Sequence, residues 1–308
     1  MLGIMLFFAS SMQAGTIYLV DNTATSGPGG AGWRAAGANE VNVHLNDLSQ
    51  SFNAWYASIT FATSSDQVWL LSDTYILTGP VGIKTNGKIY GGFYGTETSI
   101  SFGSDAGFRR LNTNPAGNWD LKYPSILDGN ASYQGMTGGS SSAVVDGLTI
   151  QNCKFTGATA GQAAGVTLNY GTTTMQNCIV TGCVNSGTAT GGATSAVSLT
   201  ATTKMSNSYI HDNTYSGTGG YGGGAVSVIG STGYAAAQTD VISGCKITSN
   251  NNTKSNNGGG VFLYSAVADG LKSLGIKNSI ISNNSSGQGG GIYVYIGSVN
   301  NAANNTPV

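Results

Sequence analysis

A short motif recurs five times between Asp146 and Gly297, and it constrains the fold more than any other feature of the chain. Each copy has an apolar residue, a spacer, Asn or Gly, then Cys or Ser, and a second apolar residue two positions later. Successive copies lie 25, 30, 37 and 34 residues apart: Ile150–Phe155, Met175–Val180, Met205–Ile210, Ile242–Ile247 and Ile276–Ile281. A period of this size with variable insertions predicts a solenoid, in which each unit contacts only its neighbours.

Gly-rich loops lead into short alternating strands between the copies, most clearly at Gly222–Val226, Gly258–Phe262 and Gly289–Tyr293. Alternate residues of a strand share one face. The apolar pairs therefore predict one stacked wall: Val166/Leu168, Val197/Leu199, Val226/Val228, Val261/Leu263 and Ile292/Val294. The first and second apolar residues of the motif supply two more walls. Three walls per coil, with coils about 4.8 Å apart, predict an all-β parallel β-helix.

Two further columns follow from laying the five copies in register. Asn152, Asn177, Asn207 and Asn278 share a column with Gly244, which favours a corner with left-handed backbone angles and stacked amides. Cys153, Cys178 and Cys245 share the next column with Ser208 and Ser279. That alternation favours a small inward side chain and a reduced cysteine ladder. A Cys153–Cys178 disulfide between adjacent coils is the alternative.

Composition excludes one class of partner and suggests a compartment. Charged residues make up 8% of the chain and the net charge is −1, so nucleic-acid binding is not expected. Residues 1–14 contain a short apolar run that ends in small residues, which predicts a secretory signal peptide. An apolar N-terminal capping strand is the alternative. We therefore expect an exported protein.

The chain before the repeats divides into a cap and the first coils. Apolar spacing from His44 to Ala57 predicts an amphipathic helix that plugs the open end of the stack, with Asn42 or Asn46 as its N-cap. Residues 15–145 form this cap and the first coils, with an irregular insertion at 102–124. Residues 146–308 are the regular repeats, which stop part-way through a coil and predict a truncated C-terminus.

Several of these segments resemble a known group of proteins. The Gly-rich loops, paired with Ile210–Asn213, Ile247–Asn250 and Ile281–Asn284, resemble the repeats of polymorphic outer membrane proteins. The segments Ile89–Thr98, Ile126–Gly129 and Asp146–Ile150 are similar to the start of large bacterial right-handed β-helix surface proteins of the pectin-lyase-like superfamily. The resemblance covers most of residues 16–297. It implies a right-handed β-helix that is secreted or lies on the cell surface, at a bacterial outer membrane. Relatives usually have a C-terminal anchoring or secretion segment.

The superfamily that the chain resembles includes lyases and hydrolases. Such enzymes need clustered ionisable residues. The insertion offers the only candidates for catalysis, namely Arg109, Arg110, Asp120 and Lys122. A solvated loop is the alternative, and we favour it. His211 and Asp212 are neighbours on a predicted strand, so their side chains are expected on opposite faces and to form no dyad. No metal or cofactor motif is present, and we expect neither.

The last two coils differ from the others on their outer face. If Val261/Leu263 and Ile292/Val294 face inward, then Phe262, Tyr264, Tyr293 and Tyr295 face outward. The earlier coils have Thr, Ser, Asn or Ile at those places. We predict an exposed aromatic patch that binds a substrate, either a sugar chain or a protein. Packing under a missing C-terminal coil is the alternative.

Together these features predict an exported, non-catalytic β-helix protein that serves as an adhesin or a structural, glycan-binding stalk. Its partners would be surface glycans or cell-surface proteins, and it would meet a membrane only through a missing C-terminal anchor. The oligomeric state is left open. The alternative function is that of a polysaccharide lyase or glycoside hydrolase that uses loops of the N-terminal half.

Overall fold

The computed structural model of the chain describes residues 15–22, 33–46, 48–138, 142–159, 161–169, 171–188, 195–200, 202–218, 223–230, 241–253, 258–265 and 275–296. The proposed signal peptide at 1–14 and the C-terminal residues 297–308 lie outside the described residues. Strands supply nearly all the regular structure of the described part. Within it, no helix combines the length and the apolar character needed to cross a membrane.

The strands and the helix follow one another along the chain. The N-terminal part contains β1 Ile17–Asp21, β2 Glu40–His44, α1 Phe52–Ser58, β3 Gln67–Leu71, β4 Thr74–Ile76, β5 Val81–Ile83, β6 Lys88–Phe93, β7 Ser125–Asp128, β8 Met136–Gly138 and β9 Val144–Asp146. The repeats contain β10 Leu148–Gln151, β11 Lys154–Phe155, β12 Ala163–Leu168, β13 Thr174–Gln176, β14 Ile179–Thr181, β15 Val184–Asn185, β16 Ser195–Thr200, β17 Lys204–Ser206, β18 Tyr209–His211, β19 Thr214–Tyr215, β20 Val226–Gly230, β21 Ile242–Ser243, β22 Lys246–Thr248, β23 Asn251–Asn252, β24 Val261–Ser265, β25 Ile276–Lys277, β26 Ile280–Ser282 and β27 Ile292–Ile296.

The strands stack into four parallel sheets, and the coils of the repeat region contribute to each in turn. The first sheet has the order β2-β1-β3-β6-β9-β13-β17-β21-β25 and the second β4-β7-β10-β14-β18-β22-β26. The third contains β11-β15-β19-β23 and the fourth β5-β8-β12-β16-β20-β24-β27. This is the predicted parallel β-helix. The wall predicted from the alternating strands is also confirmed, because Val197 pairs with Val226, and Val226 with Val261.

Strand pairing shows that the sequence analysis assigned the first copy of the motif to the wrong column. Ile150 pairs with Val180, so it does not share a column with Met175. The residue that pairs with Met175 is Val145. The first-sheet wall is therefore Val145, Met175, Met205, Ile242 and Ile276. The second-sheet wall is Ile150, Val180, Ile210, Ile247 and Ile281.

Each repeat coil has two corners with left-handed backbone, not one. The corner between the first and second sheets has positive φ at Gly147, Asn177, Asn207, Gly244 and Asn278. The corner between the second and third sheets has positive φ at Asn152, Gly182, Asp212, Ser249 and Asn283. The predicted left-handed role of the Asn column is thus confirmed, although Asn152 belongs to the second corner. Gly, Asn and Asp recur here because they tolerate this region best.

The amide ladder lies one residue beyond the second corner, in a column of Asn213 and Asn250, which are buried, and Asn284, which is half-buried. Asn213 Nδ2 donates to Asn250 Oδ1 at 3.0 Å, and Asn250 Nδ2 donates to Asn284 Oδ1 at 2.9 Å. Each Oδ1 also accepts the backbone N–H of the coil before it. The ladder satisfies polar groups inside the coil, where leaving them unpaired would be costly. The predicted ladder of Asn152 and Asn177 is wrong, because their Nδ2 atoms donate to Asp128 and Asp146.

The four cysteines are free, buried thiols in two columns. Cys178 and Cys245 share the first-corner column with Ser208 and Ser279, as predicted, and their backbone N–H groups donate to those serines. Cys153 lies elsewhere, because Lys154 pairs with Val184 and so places Cys153 beside Cys183. The hydrogen bond with the Cys183 thiol, together with burial, raises the pKa of Cys153.

The N-terminal cap contains a helix, but it begins later than predicted. Helix α1 starts at Phe52, because His44 still belongs to the strand that pairs with β1. The apolar spacing that suggested an earlier start included Leu48, which is 49% exposed. Phe52, Trp55 and Tyr56 of α1 are buried in the main core and cover its N-terminal end. The N-cap residue is Ser51, which makes no side-chain capping hydrogen bond.

Replacing Asn250 with Ala should destabilise the fold by about 3 kcal/mol, because buried backbone and amide groups on both neighbouring coils lose their partners. Asn251→Ala, at the next and exposed position, is the matched control and should change the free energy of unfolding by under about 0.5 kcal/mol. Urea unfolding followed by circular dichroism measures both. Equal losses would contradict the role of the ladder.

The cysteines predict a loss of stability at alkaline pH. Burial raises the pKa of Cys178 to about 12 and that of Cys245 to about 11, from an ordinary value of 9.0. Above pH 9 these thiols ionise in the unfolded chain but not in the folded one, so stability should fall as the pH rises from 9 towards 11. A Cys178→Ser, Cys245→Ser double variant should lose less stability over that range, as measured by urea midpoints. An identical pH profile would contradict this.

Candidate functional site

The insertion at 102–124 contains a small antiparallel hairpin. Leu111 and Leu121 form its bridge, and Leu121 is buried against the coils. Asp120 lies inside the hairpin, where its carboxylate accepts hydrogen bonds from Asn112 Nδ2 at 2.7 Å and from the Ala116 backbone N–H at 2.9 Å. These contacts close the turn at the tip. The insertion therefore has internal contacts and is anchored at Leu121, although most of its residues are exposed to solvent.

Arg109 fastens the insertion to the first sheet. Its Nη1 and Nη2 atoms lie 3.1 Å from Asp146 Oδ1 and Oδ2, respectively, in a bidentate ion pair. Nη1 also donates to the Gly91 carbonyl, and Nε donates to the Ile100 carbonyl. Arg109 and Asp146 are both 2% exposed. All these groups are engaged beneath the surface, so Arg109 is a structural residue.

Of the four residues considered for catalysis, Arg110 and Lys122 lie opposite each other on the hairpin, but Arg109 and Asp120 are engaged elsewhere. Asp120 points into the hairpin tip and Lys122 Nζ lies 5.4 Å from the ring centre of Tyr123. The guanidinium of Arg110 has neither a hydrogen-bond nor an ion-pair partner in the described part of the chain. No group of three or more His, Cys, Asp or Glu side chains in that part could hold a metal ion. The insertion thus offers no shared carboxylate site of the kind that glycoside hydrolysis uses.

The aromatic residues of the last two coils form a stacked ladder. Phe262 and Tyr293 are stacked with ring centres 5.8 Å apart, and Tyr264 and Tyr295 are stacked at the same spacing. The prediction that Phe262 is exposed is wrong, because its exposure is 0%. Its own Gly-rich loop covers it: a side chain at Gly258, where φ is +80°, would place its Cβ 3.1 Å from Phe262 Cβ.

Tyr264, Tyr293 and Tyr295 are half-buried, and each stacks on at least one neighbouring ring. A sugar ring that stacks on an aromatic side chain needs an open ring face, and Phe262 and Tyr264 each face a ring of the next coil. Ile292 and Val294 are 48% and 53% exposed, although they continue the inward-facing wall. They lie on the last described strand of the fourth sheet, where no further described strand pairs with them.

A second aromatic cluster, which the sequence did not reveal, lies on the outer face of the second sheet. We call Trp119, Tyr209, His211, Asp212 and Lys246 the Tyr209 cluster. The rings of Trp119 and Tyr209 are 5.8 Å apart at 42°, and the His211 ring stacks on Tyr209 at 4.0 Å. Lys246 Nζ lies 4.8 Å from the Tyr209 ring centre. The cluster joins the hairpin tip to two successive coils.

The tip positions Trp119 by leaving room for its ring. A side chain at Gly117 would place its Cβ 2.4 Å from the Trp119 ring, so this residue must be Gly for the ring to lie where it does. The repeat accounts for the outward direction of Tyr209. Ile210 faces the core, so the residue before it on the strand faces outward. Its hydroxyl accepts from Thr248 Oγ1 of the next coil at 3.4 Å.

His211 and Asp212 do form a contact, contrary to the expectation from strand alternation. His211 Nδ1 lies 2.7 Å from Asp212 Oδ2 and 3.3 Å from Thr181 Oγ1. Strand β18 ends at His211, and Asp212 has a left-handed φ of 53°, so the chain turns and both side chains reach the same surface. Side-chain exposures are 20% for His211 and 64% for Asp212. The signal that could have revealed this was the position of Asp212 in the second-corner column.

Replacing Arg109 with Ala should destabilise the protein by about 3–5 kcal/mol, because it leaves the buried Asp146 carboxylate without its cation. Arg110→Ala removes a neighbouring guanidinium that has no described partner and should change the free energy of unfolding by under about 0.5 kcal/mol. Urea unfolding distinguishes them. If the two variants were equally stable, Arg109 would not be the anchor.

Comparison with known proteins supports the fold. The family described as "Right handed beta helix region" matches residues 136–306. Neither the curated proteins nor the solved structures contain a significant match to the chain. The matched segment covers more than half of the sequence and coincides with the stacked coils β8 to β27. The chain therefore belongs to the right-handed β-helix family.

Proposed function

We propose that this protein is a glycan-binding β-helix of a bacterial cell surface, serving as an adhesin or stalk and not as an enzyme. The Tyr209 cluster is the observation that carries this proposal. It brings together two half-buried aromatic rings, an ammonium group, an imidazole and an exposed carboxylate on the outside of a stack of coils. A sugar chain presents apolar ring faces and polar edges, and such a mixture of groups complements both.

The scaffold favours binding because the cluster is held in place before a ligand arrives. Tyr209 is fixed between His211 of its own strand and Lys246 of the next coil, while Trp119 comes from the anchored hairpin. Side chains that are already ordered lose less conformational entropy on binding. The outward positions that pair with Tyr209 and His211 on the preceding coil are Ile179 and Thr181, one apolar and one hydroxyl-bearing residue. Such a surface can contact both the ring face and the hydroxyl edge of a sugar.

His211 supplies the observation that favours the second candidate, a polysaccharide lyase or glycoside hydrolase. An imidazole next to a carboxylate can accept a proton during a reaction. The pair lies beside the aromatic platform, where a bound sugar would contact it. Release of unsaturated or reducing ends from a polysaccharide, lost in His211→Gln, would favour this enzyme and contradict the non-catalytic proposal.

Replacing Trp119 or Tyr209 with Ala should weaken retention on an immobilised glycan at least about tenfold, because each ring supplies much of the platform. Glycan-array screening with the intact chain first identifies the bound sugar, and affinity electrophoresis then measures the variants. Tyr133→Ala, which removes an exposed tyrosine outside the cluster, is the matched control.

Tyr264→Ser tests the C-terminal ladder in the same assay. We expect this variant to retain the glycan, because the Tyr264 ring already stacks on Phe262 and on Tyr295. If Tyr264→Ser removed retention while Trp119→Ala and Tyr209→Ala did not, the Tyr209 cluster would be the wrong surface. Absence of binding to any glycan would overturn the proposed function.

A further inference from the structure

Two cations face each other across the hairpin of the insertion. The Leu111–Leu121 bridge and the hydrogen bond from Lys122 N–H to the Arg110 carbonyl, at 2.9 Å, place Arg110 directly opposite Lys122. Residues opposite each other in an antiparallel pair point to the same face, with Cβ atoms about 5 Å apart. The leucines occupy the other face, and Leu121 is buried there. Arg110 and Lys122 therefore share the outer face.

Like charges directly opposite each other destabilise a strand pair unless something neutralises them. Within the described residues, neither cation has an ion-pair partner. Two carboxylates close to this hairpin in the sequence are held by other donors. Asp120 accepts from Asn112 and Ala116, while Glu97 accepts backbone N–H groups of Tyr94, Gly95 and Thr96.

An aromatic pair adjoins one of the two cations, Lys122. Lys122 Nζ lies 5.4 Å from the ring centre of Tyr123, and the Tyr123 ring lies 4.7 Å from that of Tyr94. Tyr94 is 59% exposed, so much of its ring is open to a ligand. We call Arg110, Lys122, Tyr123 and Tyr94 the Arg110–Lys122 surface. It places two positive charges beside an apolar platform on the same hairpin that carries Trp119.

We propose that the Arg110–Lys122 surface binds a phosphate monoester carried on a sugar, so that the glycan ligand is a phosphorylated one. A phosphate monoester has a charge between −1.5 and −2 near pH 7 and can neutralise both cations, whereas a carboxylate or sulfate ester carries one charge. Guanidinium groups suit phosphate oxygens particularly well. The adjoining tyrosine pair contacts the sugar ring that carries the phosphate. This inference rests on the proposed function, because it specifies the glycan.

The test titrates the intact chain with glucose 6-phosphate, glucose, glucose 6-sulfate and inorganic phosphate, using ligand-observed NMR. Glucose 6-phosphate should bind at least about tenfold more tightly than glucose and about threefold more tightly than glucose 6-sulfate, because of its extra charge. Its affinity should rise between pH 5 and 7.5, as the phosphate loses its second proton at a pKa of about 6. Equal affinity for glucose and glucose 6-phosphate would overturn the inference.

Arg110→Ala and Lys122→Ala should each weaken glucose 6-phosphate binding about tenfold. Lys204→Ala removes an exposed positive charge from β17 and should leave the affinity unchanged. Tyr94→Ala should weaken binding of glucose 6-phosphate but not of inorganic phosphate. If inorganic phosphate bound as tightly as glucose 6-phosphate, the surface would recognise the anion alone and the sugar assignment would be wrong.

The glycan-binding proposal and the phosphate-site proposal can fail separately, and each failure gives a different experimental result. A wild-type chain that is retained on neutral glycans through Trp119 and Tyr209, and that has no preference for glucose 6-phosphate, would overturn only the phosphate site. A chain that binds glucose 6-phosphate through Arg110 but shows no dependence on Trp119 or Tyr209 for any glycan would overturn the glycan-binding role of the Tyr209 cluster alone.

Discussion

Coil-on-coil stacking in register requires the chain to turn at the same places in every coil, and the rest of the structure depends on those turns. Two corners per repeat coil have left-handed backbone, at Asn177 and Gly182 in one coil and at Asn207 and Asp212 in the next. Because these corners recur in register, apolar side chains fall into columns along the axis. Each column then excludes water from the next coil, and the walls form one continuous core.

The corners also determine where buried polar groups are placed. In the early coils, Asp146 accepts Asn177 Nδ2 and Gln176 Nε2 from the next coil and holds Arg109 of the insertion. One carboxylate therefore links two coils and fixes the element that carries Trp119. In later coils the polar column consists of amides, Asn213, Asn250 and Asn284, which need no ion to satisfy them. Cysteine fills the same column at Cys153 and Cys183, where a small apolar side chain suffices.

The sequence predicts the architecture well, because its periodicity is the physical requirement for stacking. The same periodicity misplaces the first copy of the motif, because similar residues recur at both corners of a coil. Ile150-Gln-Asn-Cys and Met175-Gln-Asn-Cys share Gln-Asn-Cys after an apolar residue. They nevertheless span different corners, because both corners accept the same residue types. Exposure of Phe262 cannot be predicted from alternation, because a loop folds over an outward face that alternation assigns to solvent. The Trp119–Tyr209 contact joins residues far apart in the chain through an insertion that has no period, so no pattern predicts it.

The second corner explains how a repetitive stack can acquire a distinct surface at one coil. The backbone demands a left-handed residue there, but Asn152, Gly182, Ser249 and Asn283 show that several side chains meet that demand. Asp212 meets it too and adds a charge that reaches His211. Such a position can change its chemistry without disturbing the walls, because its side chain lies outside the core. The hairpin tip reaches the outer face of the same coil at Tyr209. Corner variation and a single anchored insertion are therefore sufficient to distinguish this coil from the others of the array.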